Sequence, residues 1–340
     1  MNLEQLVIPP KTIAFATTYQ CNAACKNCCF SCNPSIKARL SVKDMKEYID
    51  QALNFYASSL KVLVLTGGES FLLKDDLVEI LEYGSSKGLV TRVVTNGYWA
   101  QSYQKAYNTL LNLREHGLKE INYSTGDDHQ EWVPYENIVN GCIAAMDLNL
   151  TCVVNVETHD NSKFDGNTFF LDSRLRTYFD HTKYETPLKI EKGLWIPFNS
   201  ESHITTDNII PKEDISRTRC YSLFTTIPIN PFSYMMSCCG LVSEHVIPFR
   251  LGSLKKQTVK ELYEMQFNDL MKIWLYTEGP YNILKYIYEK RGIDRNISGH
   301  ICAICAEIFR ENENIQCVKD NYEELFASVM FKYLLLKRVY

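Results

Sequence analysis

Residues 12–28 read TIAFATTYQCNAACKNC: an apolar run, Thr12 to Thr18, followed at once by Cys21, Cys25 and Cys28 in the spacing C-x3-C-x2-C. The run reads as a strand, and its near-continuous apolar character suits a parallel strand buried on both faces. Three thiolates can hold three irons of a 4Fe-4S cubane and leave the fourth iron open to a small molecule. The competing readings are a zinc site or three unrelated thiols, but a zinc knuckle wants a fourth Cys or His at close spacing.

Working outward, Lys61 to Thr66 (KVLVLT) is a second strand-like run and leads into Gly67-Gly68-Glu69. Two glycines let backbone approach a ligand closely, and the Glu69 carboxylate can take an ammonium group. With these two motifs the chain resembles the radical S-adenosylmethionine (radical SAM) superfamily. The resemblance implies that Cys21, Cys25 and Cys28 hold a cluster with an open iron, and that Gly67, Gly68 and Glu69 hold the methionyl amine of S-adenosylmethionine (AdoMet). It also implies cleavage of AdoMet to a 5'-deoxyadenosyl radical that takes a hydrogen atom from substrate. The sequence departs from the family at Asn27, where an aromatic residue usually precedes the third cysteine; Phe30 is the candidate for the adenine contact in its place.

The rest of the chain bounds this reading. At 340 residues with 46% hydrophobic content there is material for a substantial core. The net charge is −4 and no block of like charges appears, which disfavours a nucleic-acid partner. The N-terminus MNLEQLVIPPKT lacks the basic start and apolar centre of a signal peptide, and no membrane-length apolar run occurs, so a cytoplasmic protein without a membrane partner is expected. Thirteen cysteines in such a chain point to metal ligation more than to disulfides.

Short apolar runs alternate with helical patterns as in repeated βα units. Strands are expected at Thr12 to Thr18, Leu60 to Thr66, Leu89 to Thr95, Glu120 to Ser124, Thr151 to Thr158 and Lys189 to Pro197. Helices are expected at Val42 to Tyr56, with Ser41 and Asp44 as a capping box, at Lys74 to Ser86, ended by Gly88, and at Ser102 to His116, ended by Gly117. The fold class is therefore α/β: a partial (β/α)6 TIM-type barrel over 1–200, a linker at 201–219 and a small α+β domain over 220–340. That domain should hold a hairpin around Leu223 to Cys238, a strand near Phe249 to Leu254, helices from Thr258 to Arg291 and an amphipathic helix near Asn321 to Lys337.

The C-terminal part carries Cys220, Cys238, Cys239, Cys302, Cys305 and Cys317. Cys220, twelve residues, Ser233, four residues and Cys238 resemble the opening C-x(9 to 15)-G-x4-C of the SPASM and twitch extensions, with Ser233 in the glycine's place. Leu251-Gly252-Ser253-Leu254 resembles them too. Cys220, Cys238, Cys302 and Cys305 suffice for one auxiliary 4Fe-4S cluster, a single-cluster twitch-like arrangement; a structural zinc is the alternative. Adjacent residues on a strand point opposite ways, so only one of Cys238 and Cys239 can face that site. Cys238 is taken as the ligand. Cys239 or Cys317 is then free to donate a hydrogen atom or to close an open iron site.

Other candidates stand at strand ends, where barrels gather their chemistry. The resemblance implies AdoMet or substrate contacts at Asn96 and Tyr98, with core packing as the alternative for Tyr98 and Trp99, and contacts to the AdoMet ribose or carboxylate at Ser124. His129, preceded by Asp127 and Asp128, is a candidate for orienting substrate or moving protons, against a plain solvated loop. Asn155 and Glu157 share one side of a strand, and one of them, with Asn155 as the candidate, reaches the ribose. Cys29 and Cys32 read as ordinary loop thiols, and Cys142 and Cys152 as core residues. The C-terminal helix, with Leu325, Val329, Leu334 and Leu335, should pack on the barrel or on a partner subunit.

Radical SAM proteins with such extensions often modify ribosomally made peptides, so a peptide undergoing crosslinking or epimerisation is the leading expected substrate. A small-molecule dehydrogenase or carbohydrate-modifying enzyme is the alternative, and a non-catalytic metal-binding protein a third reading. A low-potential donor such as flavodoxin or ferredoxin is the expected electron partner. Only 20 residues precede Cys21, so any peptide leader should be read elsewhere or by a separate leader-binding protein.

Overall fold

Each of the six expected barrel strands forms and pairs in parallel with the next. The computed structural model describes residues 6–198 and 204–337. In it β1 (Thr12–Thr18), β2 (Val62–Gly67), β3 (Val90–Thr95), β4 (Leu118–Thr125), β5 (Thr151–Thr158) and β6 (Lys189–Leu194) form a continuous parallel array. The strand alternation of β1 buries Ile13 and Phe15 completely in the main core and puts Ala14 and Ala16 on the other face, where they line a small cavity. This is the mixed α/β, partial TIM-barrel architecture that the sequence implies.

The helices between these strands are α1 (Val42–Tyr56), α2 (Asp75–Ser86), α3 (Tyr103–Glu115), the single turn α4 (Asp127–Gln130), α5 (Tyr135–Asp147) and α6 (Asn167–Leu171). Helix α1 buries Met45, Tyr48, Ile49, Ala52 and Tyr56, the one-sided spacing of a 3.6-residue period. Its expected capping box is only half formed. The Ser41 hydroxyl accepts the Asp44 amide, and no return bond from Asp44 completes the motif.

The expected boundary does not interrupt the sheet. Of the linker, 201–203 lie outside the described residues; the part that follows carries α7 (Lys212–Arg217), so it is not featureless. Then β7 (Thr226–Ile229) pairs in parallel with β1 on the side opposite β2, and β8 (Tyr234–Met236) and β9 (Arg250–Ser253) add antiparallel strands beyond it. The nine-stranded order is β6-β5-β4-β3-β2-β1-β7-β8-β9, which leaves β1 with a parallel partner on each side.

At Ser233, in the β7–β8 turn, φ is +60°, the left-handed region that favours glycine. The turn therefore has the left-handed backbone that a glycine would serve, with a serine in place. Beyond the sheet lie α8 (Val259–Met265), α9 (Leu270–Arg291), α10 (Ile301–Arg310), α11 (Asn312–Asp320) and α12 (Tyr322–Lys337). A full capping box does occur, at Thr258 and Glu261 before α8. Helix α12 is not the one-sided helix expected: it buries Leu325, Val329, Met330 and Tyr333 yet exposes Phe326, Phe331 and Leu335. No helix among the described residues is long and apolar enough to cross a membrane.

Helix α5 packs on β4 through Gly141, where an added Cβ would stand 2.5 Å from the hydroxyl of fully buried Tyr123. Glycine inside a helix ordinarily costs about 1 kcal/mol against alanine. Overpacking of a tight core costs about 1–3 kcal/mol, and here it should win. Gly141→Ala is expected to lower stability by about 1–2 kcal/mol net, read as an earlier denaturant midpoint at unchanged slope.

Candidate active site

The exits of the first strands converge on one cavity of about 220 Å³, lined by Cys21, Cys25, Cys28, Cys29, Phe30 and Cys32 of the loop after β1. Gly67 and Gly68 after β2, Asn96 after β3, Ser124 on β4, and His129 and Trp195 complete its wall. The two glycines, which line the cavity, also meet a steric demand of their own. A Cβ on Gly67 would meet the Thr18 carbonyl oxygen at 2.4 Å, and one on Gly68 the Gln20 carbonyl oxygen at 2.1 Å. Their bareness lets the end of β2 close on the backbone leaving β1, where the Gly68 amide donates to Thr18 O (2.7 Å) and the Glu69 amide to Gln20 O (2.9 Å).

Glu69 is fully buried behind this contact. Its Oε1 accepts from the Phe71 amide (3.0 Å) and the Thr95 hydroxyl (2.8 Å), and its Oε2 from the Asn96 amide (2.9 Å). A carboxylate has about four acceptor positions, so one remains on Oε2. Burial pushes Glu69 up to about 7 against these three donors. The Asn96 side chain donates to Asn22 Oδ1 (2.9 Å) and reaches Cys21 Sγ (3.7 Å), which ties the carboxylate to the cysteine loop. Trp99 stacks on Phe71 at 4.3 Å and donates to Thr95 Oγ1, a packing role; Tyr98 stays half-buried.

The sulfurs carry donors suited to thiolates. Cys21 Sγ accepts the Ala23 amide and Cys28 Sγ the Cys32 amide, both at 3.4 Å. Burial nevertheless pushes Cys21 up to about 11 and Cys25 higher, while hydrogen bonding from Cys32 holds Cys28 down at about 6. Three convergent thiols, sulfur-directed amides and an adjoining cavity fit a cluster with an open iron.

A buried network joins this loop to the far strands. Asp128 Oδ2 accepts both the amide (2.8 Å) and the side-chain Nδ2 (2.9 Å) of Asn27, just before Cys28. Glu157, 2% exposed, accepts the Asp128 amide on Oε1 and pairs with His129 Nδ1 at 2.7 Å through Oε2. Asp128, a candidate beside His129, thus holds the cysteine loop through Oδ2. The partner that orients His129 is Glu157, while Asp127 accepts the amides of Lys163 and Phe164. Gly126 makes room for it: a Cβ there would stand 1.8 Å from Glu157 Cγ. Of the two candidates on β5, neither Asn155 nor Glu157 lines the cavity; Glu157 meets its wall through His129.

A second group of thiols sits across β7 and β8. Cys220, Cys238, Cys302 and Cys305 line one small cavity with Gly240, whose added Cβ would lie 3.2 Å from Cys302 Sγ and 3.6 Å from Cys238 Sγ. Burial, and then the neighbouring thiols, push Cys238 and Cys305 well up. Among the described residues no three His, Cys, Asp or Glu side chains gather closely enough to share a single metal ion. Cys239 is exposed and does not line that cavity; with Cys238 it borders a separate one that shares Phe30 and Thr66 with the main cavity. Cys317 lies apart on α11 and lines neither cavity.

Trp195 escaped the sequence reading. Its indole N–H is buried without a partner, and its ring meets His129 edge-on at 5.7 Å. Only its place just beyond the sixth strand could have signalled it. Cys29 and Cys32 also line the cavity, although they read as plain loop thiols.

A family model described as a 4Fe-4S single cluster domain matches residues 12–119. The chain is 28% identical over 132 residues to the putative peptide biosynthesis protein YydG of Bacillus subtilis (strain 168), over 38% of this chain and 40% of that protein. It is 34% identical over 89 residues to the AdoMet-dependent heme synthase of Methanosarcina barkeri (strain Fusaro / DSM 804), over 26% of this chain and 24% of that protein. Each match therefore spans less than half of the relative's length. Among solved structures, native anSMEcpe with bound AdoMet and Cp18Cys peptide superimposes with a TM-score of 0.52 at 11% identity, covering 94% of this chain and 99% of that one, a likeness of fold. With the cysteine loop closed against Gly67 and Gly68, residues 12–119 are similar in sequence to a 4Fe-4S single cluster domain.

Proposed function

We propose that the chain is a radical SAM enzyme that takes a hydrogen atom from a ribosomally made peptide. The observation that carries the reading is the convergence of Cys21, Cys25, Cys28, Gly68, Asn96 and Ser124 on a single cavity at the strand ends. A 4Fe-4S cluster on the three thiolates would supply the electron that cleaves AdoMet to methionine and a 5'-deoxyadenosyl radical. In this reading Glu69 offers its remaining acceptor position to the methionyl ammonium, Asn96 links that carboxylate to the loop, and Phe30 and Ser124 frame the adenosine. His129, held by Glu157 through Nδ1, presents its other nitrogen to the substrate side. The walls serve to exclude water and stray hydrogen donors.

The peptide assignment draws support from the likeness to YydG, whose name refers to peptide biosynthesis. Likeness to a heme synthase favours the second reading, a small-molecule substrate. For the second thiol group we infer an auxiliary 4Fe-4S cluster on Cys220, Cys238, Cys302 and Cys305, reduced by a flavodoxin- or ferredoxin-like donor. Cys239, on a cavity adjoining the main one, is the candidate hydrogen donor; epimerisation needs such a donor, whereas crosslinking needs an electron acceptor.

Replacing Cys21, Cys25 and Cys28 together by Ala in anaerobically reconstituted protein should remove about four irons per chain and abolish 5'-deoxyadenosine formation with dithionite. Iron and sulfide should remain on the second group, and zinc without sulfide there would overturn the auxiliary cluster. With the peptide encoded nearest its gene, AdoMet and reductant in deuterated water, a gain of one mass unit marks epimerisation and a loss of two marks crosslinking. If only a small molecule stimulates turnover, the peptide reading fails. Because burial pushes Glu69 up to about 7 and the carboxyl must be ionised to hold an ammonium, AdoMet affinity should fall as pH drops through that value. Glu69→Gln should bind AdoMet more weakly and lose that pH dependence, measured by equilibrium dialysis.

A further inference from the structure

The loop after β1 contains the same spacing twice. Cys21, Cys25 and Cys28 form one C-x3-C-x2-C run; Cys25, Cys29 and Cys32 form another, and Cys25 belongs to both. All five residues line the same cavity, so proximity does not choose between the two registers. Hydrogen bonding does. Cys21 Sγ accepts from Ala23 N (3.4 Å) and stands 3.7 Å from Asn96 Nδ2, and Cys28 Sγ accepts from Cys32 N (3.4 Å). These donors stabilise negative charge on the sulfurs of the first register.

Cys32 stands on the opposite side of such a bond. Its amide donates to Cys28 Sγ at 3.4 Å, and its buried thiol lines the same cavity as that sulfur and is the leading influence holding the Cys28 thiol low. The loop is built to bring it there. Ser31 adopts a left-handed φ of +51° and donates its amide to Cys28 O (2.9 Å), turning the chain back. Asn33, the residue after Cys32, then accepts the Cys21 amide on its carbonyl oxygen (3.2 Å), closing the loop on its own beginning. Cys32 is 5% exposed, so water does not compete for its thiol.

We propose that Cys32 is a positioning residue for the cluster: by donating from its amide and thiol to Cys28 Sγ, it selects the Cys21–Cys25–Cys28 register and raises the reduction potential of a cluster held there. Hydrogen bonds to cluster sulfurs stabilise the reduced, more negative state, and removing one lowers the potential. The proposal rests on the cluster assignment above, and the two fail separately: wild-type protein without iron on the first loop defeats the assignment, whereas the proposal is decided by Cys32 variants.

Cys32→Ala and Cys32→Ser should be reconstituted anaerobically, assayed for iron and titrated by electron paramagnetic resonance, following the cluster signal that changes when AdoMet is added. Both should keep the wild-type iron content. Cys32→Ala should shift to a lower midpoint potential, and Cys32→Ser, whose hydroxyl can donate, should stay closer to wild type. The amide donor survives in both, so the difference reads the thiol alone. If alanine destabilises the loop, Cys32→Val fills the space without donating and should show the same shift. Loss of the AdoMet-sensitive cluster in Cys32→Ser would make Cys32 a ligand and overturn the proposal. So would an unchanged potential in both Cys32→Ala and Cys32→Val, or a Cys28→Ala variant that keeps this cluster only while Cys29 and Cys32 are intact.

Discussion

The close approach of two backbones governs this structure. Chain leaving β1 and chain leaving β2 run together at Gly67 and Gly68 with no space for a Cβ on either glycine. Parallel strands leave their ends at the same face, and here that contact fixes where the cysteine loop begins. The Gly68 and Glu69 amides, bonded to Thr18 and Gln20, register Cys21 against Asn96 and the Glu69 carboxylate. Every later contact of the loop is measured from that point.

Two further ties hold the loop from different directions. Asp128 grips Asn27 from β4's end, and Glu157 on β5 holds Asp128 in turn. From the opposite side, the His245 ring donates Nε2–H to the Cys29 carbonyl oxygen at 2.8 Å. A change far from the sulfurs, at Gly126 or Glu157, would therefore be felt at Cys28. Buried polar networks of this kind are costly when one member is lost, because the remaining partners stay desolvated.

Most of the framework was legible because its signals are local. The bounds of β1, α1 and β5 coincide with those expected, since apolar runs, Ser41 and the strand lengths lie within short windows. The network was not legible. Asn27 and Asp128 are 101 residues apart, and nothing in either neighbourhood announces the other. The glycine pair was legible as a motif while its steric partner was not, because a sequence shows that space is needed and not what fills it. Ser233 shows the reverse case: the expected glycine is missing, yet the left-handed turn it would serve is present. Alternation along β5 put Asn155 and Glu157 on one side and could go no further, since the space that Gly126 leaves for Glu157 comes from another strand's end.

The seat of β1 between β2 and β7 has a consequence for the birth of the molecule. Its partner on one side, β2, is made soon after it, but its partner on the other, β7, lies more than two hundred residues downstream. At synthesis rates of about 5–20 residues per second, the ribosome needs roughly 10–40 s to deliver that strand. Throughout that interval β1 is an open sheet edge, the kind that invites pairing with other chains. The five thiols of the following loop meanwhile stand without the wall that β7 and His245 later provide. Oxidants and metal donors thus have access to the nascent loop that the finished protein withholds.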